Sequence, residues 1–226
     1  MKALAIDCAV SKIAIAAKDD EKTVKLVYDI GIRQSEKLLP AVDFVMRELQ
    51  LLPAQLDYCC LTLGPGSFTG LRLGLSTLKA LTLACGVPVY GIPSLEAYAW
   101  PFAEAESVVS LLAAKEDEYF YQFFAKGQAL TDIEDKPGSD IAGLLSTERR
   151  TIAVGPAAAV FVEGARESSP LVLLEAFDRG SDCTEGLFAL AERKRAVGEK
   201  ALEDYDGPLY VRKSEAELVL EAKLRT

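Results

Sequence analysis

The stretch that most constrains this chain is Gly64-Pro65-Gly66-Ser67-Phe68-Thr69-Gly70-Leu71-Arg72. A strand-like run, Tyr58-Cys59-Cys60-Leu61-Thr62-Leu63, leads into it. A helix-like run from Leu71 to Ala84 leads out, and Gly86-Val87-Pro88 stops it. The glycines therefore sit on a strand-to-helix turn, where backbone N–H groups can converge on an anion at the positive end of a helix. Glycine also permits a sharp turn and close backbone approach. Two named phosphate loops do not fit. The P-loop has Lys after its last Gly, where Leu71 stands, and the dinucleotide fingerprint has a shorter last gap than Gly66 to Gly70. Two readings stay open. The loop is an anion cradle built from Gly64, Gly66, Ser67, Thr69 and Gly70, or it is a purely structural turn.

The helix after the loop carries two apolar stripes. Leu71, Leu75, Leu78, Thr82 and Cys85 share one face, with Leu81 beside them, and Leu73, Thr77, Ala80 and Ala84 share another. Arg72, Ser76, Lys79 and Leu83 lie between. A surface helix shows one stripe, so two predict a helix nearly enclosed, by its own chain or by a partner. Gly70 and Gly74, one turn apart, leave room for another backbone. A second helix is predicted over Ser35 to Leu52, with Leu38, Ala41, Val42, Val45, Leu49 and Leu52 inward. Pro40 places its regular part from about Leu39, or bends it there. Phe44 and Leu51 fall on the opposite side. The candidate partner surface is therefore Phe44, Leu51, Arg72, Leu73, Ser76, Thr77 and Ala80.

Composition closes several routes. The chain has 226 residues, half of them hydrophobic, enough for one large domain or two small lobes. A net charge of −9 argues against an independent grip on nucleic acid. Arg149-Arg150 and Lys194-Arg195 are isolated basic pairs. There is no histidine, which removes Ser-His-Asp and Cys-His catalysis and histidine-based zinc sites. None of the five cysteines has Cys-x-x-Cys spacing, and adjacent Cys59 and Cys60 read as small core residues on opposite strand faces. The first ten residues suit a buried strand better than an export signal, and Leu71 to Cys85 is too short and too charged to span a membrane. The expected location is the cytoplasm.

Taken in order, Lys2 to Asp7, Ile13 to Ala17 and Val24 to Ile30 read as a meander of three strands. Val87 to Gly91 is a strand, and Ser94 caps a helix from Leu95 to about Ala103. Ser107 to Ala113 and Tyr119 to Ala125 then restart the same order in shortened form. Gly127 to Asp140 is a loop, followed by a helix at Ile141 to Ser146, a strand at Thr151 to Val154, and a helix from Gly155-Pro156 to Ala165. Leu171 to Leu174 is a strand, Cys183 to Val197 a helix, and Ser214 to Leu224 an amphipathic helix in a charged tail. A meander with crossover helices gives an α/β fold with mixed sheets flanked by helices. Asp7 ends the first strand at a tight turn. There it caps the turn through nearby N–H groups, or, as the resemblance of this strand–turn–strand to actin-like ATPase folds implies, works through a metal and its waters.

The segment Gly64 to Gly74, with Leu4-Ala5-Ile6-Asp7, Leu38-Leu39-Pro40 and Pro208-Leu209-Tyr210-Val211-Arg212, resembles the bacterial TsaB family, also called YeaZ. The resemblance covers most of the chain and is most specific over residues 1–100. It implies the actin-like ATPase fold shared with sugar kinases and heat-shock chaperones. Two lobes are expected: 1–105, carrying the partner helices, and a reduced 106–226 with the charged tail. It implies a non-catalytic partner of a paralogous enzyme, TsaD, which transfers a threonylcarbamoyl group to the adenosine beside the anticodon of tRNAs reading codons that begin with A. A small ATPase, TsaE, completes the assembly, and the two helices flanking the glycine motif contact TsaD, or a second copy when TsaD is absent. Transfer RNA is reached only through the complex. The TsaD metal is held by a His-x-x-x-His pair that this chain lacks. Cys8-Ala9, Gln34 and Ala113-Ala114-Lys115 depart from the family's usual Thr or Ser, His, and Asp-Ala-Arg, which weighs against nucleotide here. No cofactor is required of this subunit, although ATP or ADP is possible in the complex. The enzyme alternative is an ATP-dependent phosphotransferase of the same fold, with Asp7 facing the metal and Gly64 to Gly70 holding phosphate. A peptidase reading lacks an activated nucleophile.

Overall fold

The computed structural model describes residues 1–20, 22–168, 173–177 and 182–211. The tail beyond 211, with its expected helix from Ser214 to Leu224, lies outside the described residues, as do Arg212 and Leu171. The N-terminal meander forms as expected: β1 (Lys2–Asp7), β2 (Lys12–Asp19) and β3 (Lys22–Asp29) pair antiparallel. Crossover through α1 (Gln34–Glu48) adds β4 (Tyr58–Gly64) parallel to β1, and α2 (Phe68–Cys85) leads to β5 (Val89–Pro93) on the outside of β4. The strand order is β3-β2-β1-β4-β5. α3 (Ser94–Ala99) follows and tightens into a 3-10 turn at Trp100–Phe102, where Pro101 cannot continue the α ladder.

The second half repeats this order. β6 (Val108–Ala113) and β7 (Glu118–Ala125) form a hairpin, and β8 (Gln128–Ala129) and β9 (Glu134–Pro137) both pair with β7. α4 (Gly138–Gly143), β10 (Thr151–Val154), α5 (Ala158–Ser168), β11 (Leu174–Phe177) and α6 (Thr184–Ala196) complete it. The order β11-β10-β6-β7-β8 is the first sheet's order with its third strand split in two. The split strands occupy the stretch expected as a loop. They are held by backbone pairing to β7, which leaves little side-chain signal.

Strand alternation sorts the core into layers. Leu4 and Ile6 of β1 and Cys59 and Leu61 of β4 pack against Leu38 and Val45 of α1 and Leu75 and Leu78 of α2. Ala3, Ala5, Tyr58 and Cys60 face the other way, onto Leu95 and Tyr98 of α3 and Leu187 and Leu190 of α6, which also meet Val108 and Leu112 of the second sheet. α4 and α5 cover the far side through Ile141 and Phe161. Each buried leucine of α2 contributes about 1.5–3 kcal/mol over an exposed one.

Three local expectations are corrected. α1 begins at Gln34, well before Leu39, with Pro40 inside it. The first turn is anchored from outside, since the Gln34 side-chain amide donates to the Val10 and Ser11 carbonyls at 2.6 and 3.1 Å. α1 ends at Glu48, and Gln50 (φ 55°) reverses the chain. Leu51, expected on an outward helical face, thereby turns into the core at 5% exposure. Ser94 lies within α3 rather than capping it, and its buried hydroxyl has no partner among the described residues.

Candidate functional site

Asp7 ends β1 on the Ala3–Ala5 side, between the two sheets, and is fully buried. Its Oδ1 accepts from the Ala9 N–H at 3.0 Å and the Thr62 hydroxyl at 3.1 Å. Its Oδ2 accepts from the Tyr98 hydroxyl at 2.7 Å and the Cys183 thiol at 3.3 Å. Burial raises the carboxyl above the usual carboxylate range, and the four donors pull the other way. A carboxylate offers about four lone-pair sites, and these donors use them. Of the two readings of Asp7, turn cap or metal-facing group, this geometry fits the cap, extended by three side chains. Thr62 carries a signal, being a hydroxyl inside the otherwise apolar run of β4. Tyr98 and Cys183 carry none, because only the tertiary fold brings them to the turn.

The glycine loop is filled in the same way. Gly64 adopts φ 126°, and a Cβ there, on Gly66 or on Gly70 would fall under 3.0 Å from the carbonyl oxygens of Leu209, Ala9 and Cys8 respectively. The Ser67 N–H donates to the Ala9 carbonyl at 2.6 Å, and the Ser67 hydroxyl caps α2 by accepting from the Gly70 N–H at 3.2 Å. Thr69 is exposed on the first turn of α2. The room the glycines leave is occupied by the chain's own carbonyl oxygens, which repel an anion. The loop is a junction packing α2 onto the β1–β2 turn. The cysteines tell a similar story. Burial pushes Cys59 up to about 12 and raises Cys8, Cys60 and Cys183 too, opposite to what a nucleophilic thiolate needs.

The partner-surface candidates separate. Phe44 is 47% exposed, and Arg72, Ser76 and Ala80 are exposed on α2. Leu73 and Thr77 are half-buried, with the Thr77 hydroxyl bonded to the Leu73 carbonyl at 2.8 Å. Leu51 is not on this surface. Leu83, which was not among the candidates, is 81% exposed at the far end of α2. Part of α2 is covered by residues 199–211, which run back along it as a strap. Leu202 donates to the Val89 carbonyl at 2.7 Å, and Leu209 to the Leu63 carbonyl at 2.7 Å. Lys79 holds the carbonyls of Asp204 and Asp206 at 2.5 and 2.7 Å, and Tyr210 stacks on Phe68 with centroids 5.0 Å apart. Among the described residues, no helix is long and apolar enough to cross a membrane.

Comparison with known proteins completes the picture. Residues 32–150, a little over half of the chain, match the family model described as TsaD: tRNA N6-adenosine threonylcarbamoyltransferase. The chain is 23% identical over 139 residues to the tRNA threonylcarbamoyladenosine biosynthesis protein TsaB of Buchnera aphidicola, covering 60% of this chain and 66% of that one. It is 26% identical over 132 residues to the protein of the same name from Escherichia coli, covering 57% of each. The matched stretch thus spans less than two thirds of either relative. In structure it is similar to YeaZ from Pseudomonas aeruginosa, with a TM-score of 0.75 at 22% identity over 92% of this chain and 99% of that one. That likeness shows the fold, a mixed α/β arrangement of the actin-like ATPase type. Motif, topology and family match agree, and the chain belongs to the TsaB (YeaZ) family.

Proposed function

We propose that this chain is the non-catalytic subunit of an assembly that transfers a threonylcarbamoyl group to the adenosine beside the anticodon in tRNAs reading A-starting codons. Its role is to dock on a TsaD-like catalytic subunit through α1 and α2 of the 1–105 lobe and to hold that subunit in a competent form. A TsaE-like ATPase joins the assembly, a homodimer forms through the same helices when TsaD is absent, and tRNA is met only through the complex, in the cytoplasm. The curated relatives carry this pathway in their names. The observation that supports the non-catalytic reading is Asp7: its carboxylate oxygens are bonded inside the chain, which favours chemistry on another subunit. Phe44, Ala80 and Leu83, exposed on the two helices, support the docking face.

Ala80→Glu tests this reading. An unpaired carboxylate on the apolar face should weaken capture of the TsaD-like subunit by about a hundredfold or more. Because Ala80 is exposed, the thermal midpoint of the isolated chain should stay put, apart from any homodimer contribution. A variant that binds the catalytic subunit at wild-type affinity refutes the docking face.

A further inference from the structure

Arg72 stands out on the strap side of α2. Its guanidinium lies 3.9 Å from the Phe68 ring centroid and 5.8 Å from that of Tyr210, and its Nε–H donates to the Tyr210 hydroxyl at 2.8 Å. Phe68 and Tyr210 are themselves stacked, 28° from parallel. Tyr210 is fixed in turn by its neighbour Leu209, whose N–H bonds the end of β4 and whose carbonyl fills the space at Gly64. A side chain with large rotamer freedom is thus held in one plane while remaining exposed. The chain has 34 acidic residues, yet among the described residues no carboxylate pairs with Arg72. Lys79, the other cation on α2, is committed to the strap carbonyls.

We infer that Arg72 is the polar anchor of the docking face, presented by the strap to a carboxylate on the TsaD-like subunit, with Tyr210 as its positioning residue. This rests on the partner role proposed above. Charge complementarity selects the occupant. A planar guanidinium fork matches a carboxylate in two parallel hydrogen bonds, and a preorganised arginine loses little entropy on pairing. A polyanionic RNA is disfavoured, because the strap beside it carries Glu203, Asp204 and Asp206 and the chain is acidic throughout.

The test measures affinity of the full-length chain for the TsaD-like subunit across a salt series, with Arg72→Met, Arg72→Lys and Tyr210→Phe. Arg72→Met should weaken binding about ten- to a hundredfold and flatten its salt dependence. Arg72→Lys keeps the charge but not the fork, so it should retain the salt slope and lose about tenfold. Tyr210→Phe keeps the stack and loses only the hydroxyl, so it should cost about threefold without moving the thermal midpoint. Wild-type affinity in Arg72→Met overturns the inference. So does loss of tRNA retention by the complex with subunit affinity unchanged, which would assign the guanidinium to phosphate. Ala80→Glu separates the two levels. If it abolishes the complex while Arg72→Met does not, only the anchor fails, and if it leaves the complex intact, the docking face fails with it.

Discussion

Asp7→Ala distinguishes a structural carboxylate from a functional one. The substitution strands the Ala9 N–H and the hydroxyls of Thr62 and Tyr98 inside the protein, along with the weak Cys183 donor. Each stranded strong donor costs about 1–3 kcal/mol. Two effects offset this. Hydroxyls can rotate toward other acceptors, and removing the carboxylate recovers the desolvation that raises its pKa. The net loss should be about 2–4 kcal/mol, or roughly 5–15 °C in thermal midpoint for a domain of this size. Calorimetry at pH 7 reads it directly. A carboxylate held for a metal has unsatisfied oxygens, so its removal usually leaves a protein as stable or more stable. A midpoint for Asp7→Ala equal to or above wild type would therefore refute the bonded-cap account and return Asp7 to the metal-facing reading.

The raised Asp7 carboxyl also sets a pH dependence. Between the ordinary value of 3.8 and the higher folded value, the native state keeps a proton the unfolded state has released, so this group's contribution to stability falls as pH rises through that window and is flat above it. Asp7→Asn should lack the effect, and the midpoint difference between the two proteins should change between pH 4 and neutrality; a constant difference would show an unshifted carboxyl. Gly70→Ala should lower the unfolding free energy read by denaturant titration by about 1–3 kcal/mol, because its Cβ meets the Cys8 carbonyl. Gly164→Ala, on α5 with nothing near, should raise stability by about 0.5–1 kcal/mol. Equal effects from the two glycines would contradict the packing role of the motif.

Much of the fold was written in local pattern. The meander, the crossover helices and the second strand pair that restarts the order at β6 follow from alternation and helical spacing, and the opposite faces of Cys59 and Cys60 appear where expected. The misses share a cause. Leu51 left its helical face because the helix stopped at Glu48 and Gln50 took a left-handed turn, and boundaries depend on caps more than on periodicity. β8 and β9 pair with β7 through backbone bonds that any sequence can make, and the strap adds to its backbone bonds with β4 and β5 the side-chain contacts of Lys79 and Tyr210, whose partners are far away in sequence. The two stripes of α2 were visible, but not that residues 199–211 would cover part of one. The glycine motif showed that something approaches closely; that the visitors are the carbonyls of Cys8, Ala9 and Leu209 is tertiary information.

The most direct measurement is nucleoside mass spectrometry of bulk tRNA from cells depleted of this protein and re-expressing wild type, Asp7→Asn or Ala80→Glu. The account predicts that threonylcarbamoyladenosine falls on depletion, returns with wild type and with Asp7→Asn, and stays low with Ala80→Glu. Threonylcarbamoyladenosine that is unchanged on depletion, or restored by Ala80→Glu as fully as by wild type, would contradict the claim that this chain acts as a docking partner in the modification.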